Sequence, residues 1–191
     1  NSTLLFSSLF TDYISQSKKV KSFYNEHFFL KDFSTYLEKN KFDYLNRTEL
    51  VHALQQQSNL VSNTSSSSKA NIALLKKTTT YTVATGHQLC LFTGPLYFIY
   101  KIASAINLCK ALKINFPDKD FVPVYWMASE DHDFEEINHA NVFGKKIIWT
   151  SSQKGAVGEF STEGLNEVII ELKTILGDSE NSNALIKLFE K

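Results

Sequence analysis

The sequence predicts an α/β chain: an open sheet of parallel strands preceded by a helical segment. Three observations carry that prediction. Tyr81–Ala84 reads as a short buried strand, followed by a polar, Gly-containing stretch from Thr85 and a helical pattern from Pro95 to Lys113. Phe121–Met127 reads as a second strand, nearly all apolar, as strands covered on both faces are. Each strand ends in a polar cluster, and open α/β sheets bind ligands in the crevice outside the carboxyl ends of their strands.

Residues 3 to about 60 read as helical. Leu9, Phe10, Tyr13 and Ile14 fall at helical spacing, as do Phe33, Tyr36 and Leu37, with Asp12, Lys18, Lys19 and Lys21 on the polar side. Neither Gly nor Pro occurs before Gly86, which favours helices over hairpins. Residues 1–78 are therefore expected to form a helical segment that packs its aromatics, and residues 79–191 the first part of a core domain. Ser62–Ser68 is either a linker or a long turn ending at an N-cap serine ahead of Lys69–Lys77.

From Thr80 the pattern changes. The helix from Pro95 should be capped near Thr93 or Gly94, with Pro95 in the first turn, where its missing N–H leaves nothing unsatisfied. Leu96, Ile99, Tyr100, Ala103 and Ile106 make its expected apolar stripe. Asn115–Asp118 is a turn into the second strand, completing a β-α-β unit. Ala140–Phe143, a Gly144-Lys145 turn and Lys146–Trp149 form a hairpin pattern. Glu163–Leu176 is an amphipathic helix, and another begins near Ser182.

Composition narrows the function classes. Acidic and basic residues balance at 20 each, so no overall field draws in nucleic acid or an anionic membrane. Apolar runs are too short to span a bilayer, and no signal peptide is visible. Cys90 and Cys109 suggest a reducing, cytoplasmic compartment rather than a disulfide framework. The start at Asn1 and the stop within a helical pattern read as a piece of a longer protein.

Two clusters can carry chemistry. In the first, Thr85, Gly86, His87, Gln88, Thr93 and Gly94 precede a helix whose free N–H groups and dipole favour an anion. Tyr97 and Lys101 lie further along that helix. The stretch is neither G-x-G-x-x-G nor a P-loop, and its glycines equally serve tight turns. Cys90 becomes reactive there if a helix dipole lowers its pKa. In the second, Glu130, Asp131, His132, Asp133, Glu135 and Glu136 place six ionisable groups in seven residues. Crowded carboxylates raise one another's pKa, which suits binding a cation or exchanging a proton. Glu135 and Glu136 fit a simpler role as acids complementing a helix N-terminus. No structural zinc set is present, while Mg²⁺ held through carboxylates and a substrate phosphate stays open. His27 and His52 read as surface or cap residues.

Thr85-Gly86-His87-Gln88 with Leu91–Tyr97 and Tyr100-Lys101 resembles the first conserved block of the bacillithiol biosynthesis cysteine-adding enzymes (BshC). Val122–Ala128 with Glu130–Phe134 and Asn138-His139 is similar to the second, in the family's order and spacing. The family more commonly has Gln where His87 stands. The resemblance implies a Rossmann-like core, of which this chain carries the first half. It also implies a homodimer through a coiled coil outside this chain. The implied reaction joins the carboxylate of cysteine to the amine of glucosaminyl-malate, forming a low-molecular-weight thiol. Such a carboxylate needs activation, with ATP the natural donor, although the sequence shows no established ATP motif.

Under that reading His132, with His87 opposite, takes the proton of the attacking amine, and Asp131 and Asp133 hold an ammonium or a metal. Thr85, Gly86, Gln88, Thr93, Gly94, Tyr97, Lys101 and Glu130 contact substrate, with the helix start on phosphate or malate carboxylates. Two other classes stay open: a Rossmann-like nucleotidyl transferase, suggested by a Gly-His pair after the first strand, and a non-catalytic small-molecule-binding or oligomerisation module. The last would depend on Phe28, Phe29 and Tyr36 rather than on the acidic cluster.

Overall fold

A computed structural model describes residues 5–25, 29–39 and 44–190. The expectations for His27 and Phe28 lie outside the described residues. The N-terminal portion holds α1 (Ser8–Ile14), α2 (Phe33–Lys39), α3 (Tyr44–Leu60) and α4 (Ser66–Leu74). Then follow β1 (Thr80–Gln88), α5 (Tyr97–Asn115), β2 (Asp120–Ala128), α6 (Phe134–Ile137), β3 (His139–Val142), β4 (Lys145–Ile148), α7 (Leu165–Leu176) and α8 (Glu180–Phe189). The chain forms two compact units, Asn1–Tyr81 with Lys110–Val122, and Thr82–Cys109 with Pro123–Lys191.

In the first unit, serines set the helix starts by accepting backbone N–H groups that the first turn leaves orphaned. Ser7 accepts from Phe10 N–H at 3.3 Å and Ser65 from Ser68 N–H at 3.0 Å. The serine run is thus a turn ending in a cap, and its helix occupies Ser66–Leu74 rather than Lys69–Lys77. Beyond α4, the buried Arg47 guanidinium donates to the carbonyls of Leu75 (3.1 Å), Lys77 (2.6 Å) and Thr80 (2.8 Å). Three carbonyl dipoles converge on one desolvated cation, which fixes the entry into β1. Asp120 opens β2 between Lys77 and Lys113, at 3.1 and 3.0 Å. Tyr81 donates to the Leu37 carbonyl at 2.9 Å and stacks on Phe121 at 6.0 Å.

In the second unit, β1 runs on through Gly86, His87 and Gln88, where a turn was expected. Gly86 makes this feasible: a Cβ there would lie 2.8 Å from the Trp126 carbonyl oxygen, so only glycine lets the strands come this close. β1 and β2 pair in parallel in a two-stranded sheet, with α5 as the crossover.

Two expectations for α5 are corrected. Its first residue is Tyr97, so neither Thr93 nor Gly94 is the cap. Phe92, Thr93 and Gly94 instead take φ of 51°, 70° and 63°, a left-handed run that redirects the chain before the helix. The buried positions of α5 are Ala105, Cys109 and Leu112, while Leu96 and Tyr100 of the expected stripe are 68 and 64% exposed. Apolar residues surround most of this helix, so spacing alone cannot choose a face. Small side chains choose it, because Ala105 and Cys109 permit close approach, and the Cys109 thiol meets the Val83 backbone.

The expected hairpin forms one residue earlier than its pattern suggested, with His139 opposite Ile148, Val142 opposite Lys145, and Phe143-Gly144 rather than Gly144-Lys145 as the turn. Phe143 and Gly144, at φ 50° and 77°, provide the left-handed pair that a tight two-residue turn requires. Ile147 and Trp149 continue into a core with Val168, Leu172 and Ile186, and Phe134 meets Trp149 edge-on at 5.1 Å. Ser179 caps α8 through Ser182 N–H, so this helix starts at Glu180.

Candidate functional site

The site lies in the second unit, where β1 and β2 end. Gln88, the last residue of β1, reaches the acidic segment: its Nε2 donates to Glu136 Oε2 at 3.0 Å, and its side chain also bonds Asp131. The two sequence clusters therefore meet through one amide. Glu136, read from sequence as a helix-terminus acid, sits in the first turn of α6 and also belongs to the site.

His87 is held at both nitrogens. Nδ1 lies 3.1 Å from the Gln88 carbonyl oxygen and 3.4 Å from Cys90 Sγ, and Nε2 lies 2.6 Å from the Tyr97 hydroxyl. Tyr97 and Phe98 flank the imidazole at centroid distances of 5.2 and 5.7 Å. Lys101 turns inward, donating to the Gly86 carbonyl, with its ammonium 5.7 Å from the Tyr97 ring centroid. Tyr125, unremarked in the sequence of β2, donates to the His87 carbonyl at 3.4 Å.

The acidic loop is held from below by a segment that the sequence did not flag. Val157 N–H donates to the Asp131 carbonyl at 2.8 Å and Gly158 N–H to the Ser129 carbonyl at 2.9 Å. A Cβ on Gly158 would lie 2.6 Å from Ser129 Cβ, so the contact requires glycine. Within the loop, Asp133 N–H donates to Asp131 Oδ1 at 2.9 Å. That bond, with the Gln88 amide second, holds the Asp131 carboxyl below the ordinary aspartate range. Crowding was expected to raise such values. Donors aimed at this carboxylate win instead, so Asp131 suits holding a cation rather than exchanging a proton.

Glu130 accepts from the Trp126 indole at 3.3 Å. His132 is exposed and makes no side-chain hydrogen bond among the described residues. Thr85 lines a pocket of about 180 Å³ with Ile102, Ala105, Ile106, Pro123 and Tyr125. Thr93 is exposed in its left-handed conformation. Gly94 lies against Cys90, where a Cβ would come within 2.7 Å of that residue's own. Burial, and secondly the Glu136 charge, push the Cys90 thiol up, so the condition for a reactive thiol there, a lowered pKa, is not met. Among the described residues, no group of three or more His, Cys, Asp or Glu is arranged to hold a metal, and no helix is long and apolar enough to cross a membrane.

Across residues 1–191 the sequence matches the family model for the bacillithiol biosynthesis BshC N-terminal Rossmann-like domain. A Flavobacterium johnsoniae protein named "Putative cysteine ligase BshC" is 49% identical over 187 residues, covering 97% of this chain and 35% of that protein. Relatives of the same name from Flavobacterium psychrophilum (47%) and Christiangramia forsetii (45%) cover 96 and 99% of the chain and 35 and 36% of their own length. The chain thus spans about a third of the length of these curated relatives.

Proposed function

The chain belongs to the bacillithiol biosynthesis BshC family, as its N-terminal Rossmann-like domain, and on that premise we propose that the protein joins cysteine to the amine of glucosaminyl-malate by an amide bond. The observation that carries this reading is the Gln88 bridge, which brings both family-like sequence blocks to one place at the ends of β1 and β2. An amine and a carboxylate do not condense readily in water, so the carboxylate of cysteine is activated first, with ATP as the natural donor and Mg²⁺ as its companion ion.

Asp131, kept ionised by its donors, receives the ammonium of a substrate or such an ion, with Asp133 and Glu130 beside it. The positive end of the α5 dipole takes a phosphate or the malate carboxylates. The proton of the attacking amine ends on an imidazole, His132 or His87, directly or through a neighbouring group. The reaction runs in the cytoplasm, in a dimer assembled through parts outside this chain.

The test is a mass-spectrometric assay of the full-length protein with cysteine and glucosaminyl-malate, with and without ATP. Cysteinyl product is expected, dependent on ATP and strongly reduced by Asp133→Ala. Absence of product under both conditions, with pyrophosphate released from ATP alone, points instead to nucleotidyl transfer.

A further inference from the structure

We infer that the Tyr97 hydroxyl, backed by His87, is the group that receives the proton from the attacking amine. This step rests on the amide-forming reaction proposed above; the geometry behind it does not.

The argument starts from a backbone carbonyl. An oxygen of that kind only accepts, so the His87 Nδ1 lying 3.1 Å from the Gln88 carbonyl carries the hydrogen. The assignment follows from the partner rather than from a located proton. Neutral His87 then presents its lone pair at Nε2, and the Tyr97 hydroxyl 2.6 Å away donates to it. With both ring nitrogens engaged, the imidazole has no atom left for a substrate. The open atom of the pair is the Tyr97 oxygen, on an exposed residue at the first position of α5. This is the nucleophile–base–orienter logic in a different guise: an oxygen, an imidazole beside it, and a carbonyl fixing the tautomer.

The protons balance. As the C–N bond forms, the amine gives one proton to the Tyr97 oxygen while the Tyr97 hydroxyl proton passes to His87 Nε2. The phenol ends neutral and His87 ends as imidazolium, its Nδ1–H still on the Gln88 carbonyl. The group activating the acyl carbon, a phosphate or nucleotide derived from a nucleoside triphosphate, leaves with the bonding electron pair.

Other groups facing the pair are accounted for. Lys101 is tied to the Gly86 carbonyl beside the Tyr97 ring, and Tyr125 is on the His87 carbonyl. Cys90 lies at Nδ1, where a thiol beside an N–H is only a weak acceptor, and Glu136 is engaged by Gln88. None of these competes for Nε2.

Two measurements on the full-length protein decide the matter. In histidine-¹⁵N-labelled protein, His87 is expected as the Nδ1–H tautomer, with an Nε2 resonance that moves in Tyr97→Phe. The opposite tautomer overturns the inference. In turnover, Tyr97→Phe is expected to lower kcat by about 10²- to 10⁴-fold with KM for the amine substrate changed only a few-fold. His87→Leu, which removes the acceptor at Nε2, should lower kcat and leave KM for the amine substrate within a few-fold. A merely structural Tyr97 would instead alter KM or thermal stability and leave kcat alone. Wild-type turnover with undiminished kcat in Tyr97→Phe overturns this step by itself. A wild-type protein that makes no cysteinyl product overturns the underlying reaction, and the step with it.

Discussion

Gln88 and Glu136, 48 residues apart, are joined by a 3.0 Å hydrogen bond from the Gln88 amide to the Glu136 carboxylate. That contact ties the end of β1 to the acidic segment and places a negative charge near Cys90, whose thiol it helps push up. Glu136→Gln removes the charge and leaves the larger effect, burial, in place. The Cys90 pKa should therefore fall part of the way toward its ordinary value. At a fixed mildly alkaline pH, alkylation of Cys90 should speed up by about two- to fivefold, because the thiolate is the nucleophile. Cys109 is buried and should not contribute, and Cys90→Ser gives the background. An unchanged rate would show that the carboxylate does not act on the thiol.

Gly158 supports the acidic loop by direct backbone contact with Ser129. Gly158→Ala forces one of the two segments to shift, at a cost of about 1–3 kcal/mol. Because the same segment bonds the Asp131 carbonyl, the loop should move with it. The expected result is a loss of the proposed cysteine-adding activity larger than the loss of thermal stability explains. Normal activity in a folded Gly158→Ala protein would mean that the loop's position matters little.

Arg47 is held by three carbonyls at the entry to β1. Arg47→Ala leaves those oxygens without their donor and should lower the unfolding free energy by about 3 kcal/mol, read from urea titration of the full-length protein. Arg47→Lys should recover only part, since an ammonium cannot reproduce the planar fork. Equal stability of Arg47→Lys and wild type would mean that charge alone suffices there.

Asp120 sits between Lys113 and Lys77, whose hydrogen bonds hold its carboxyl below the ordinary value. A group depressed in the folded state contributes stability above its unfolded pKa, near ~3.9, and loses it as pH falls through the folded value. Stability from this trio should therefore be intact at neutral pH and disappear below about pH 4. Asp120→Asn should remove under about 1 kcal/mol at pH 7, in line with partly exposed ion pairs, and flatten that acid limb. A pH profile identical to wild type would rule the trio out as a contributor.

Much of the fold was legible because it is written locally. Alternation between apolar runs and turn residues gave both strands of the β-α-β unit, Gly144 marked the hairpin, and the helices after it showed amphipathic spacing. The C-terminal ends of the strands pointed to two polar clusters, and Gln88 of the first bonds Glu136 and Asp131 of the second. Glu136 does stand in the first turn of α6, as expected, and its bond to Gln88 was not legible because that partner lies 48 residues away. Tyr125 could have been suspected as a hydroxyl in an otherwise apolar strand, whereas Gly158 carries no signal in one sequence.

What the sequence determined by itself was the order of elements, the place of the hairpin and the position of both polar clusters. Each of these depends on residues a few places apart, where spacing and side-chain chemistry settle the outcome. The tertiary structure alone decided that β1 runs on through Gly86, which face of α5 is buried, and that Gln88 reaches Glu136. Those outcomes depend on what lies across from each residue: the Trp126 carbonyl opposite Gly86, the Val83 backbone beside Cys109, and the Glu136 carboxylate within reach of Gln88. A sequence read one residue at a time holds no record of such neighbours, because close approach is a property of the packed chain.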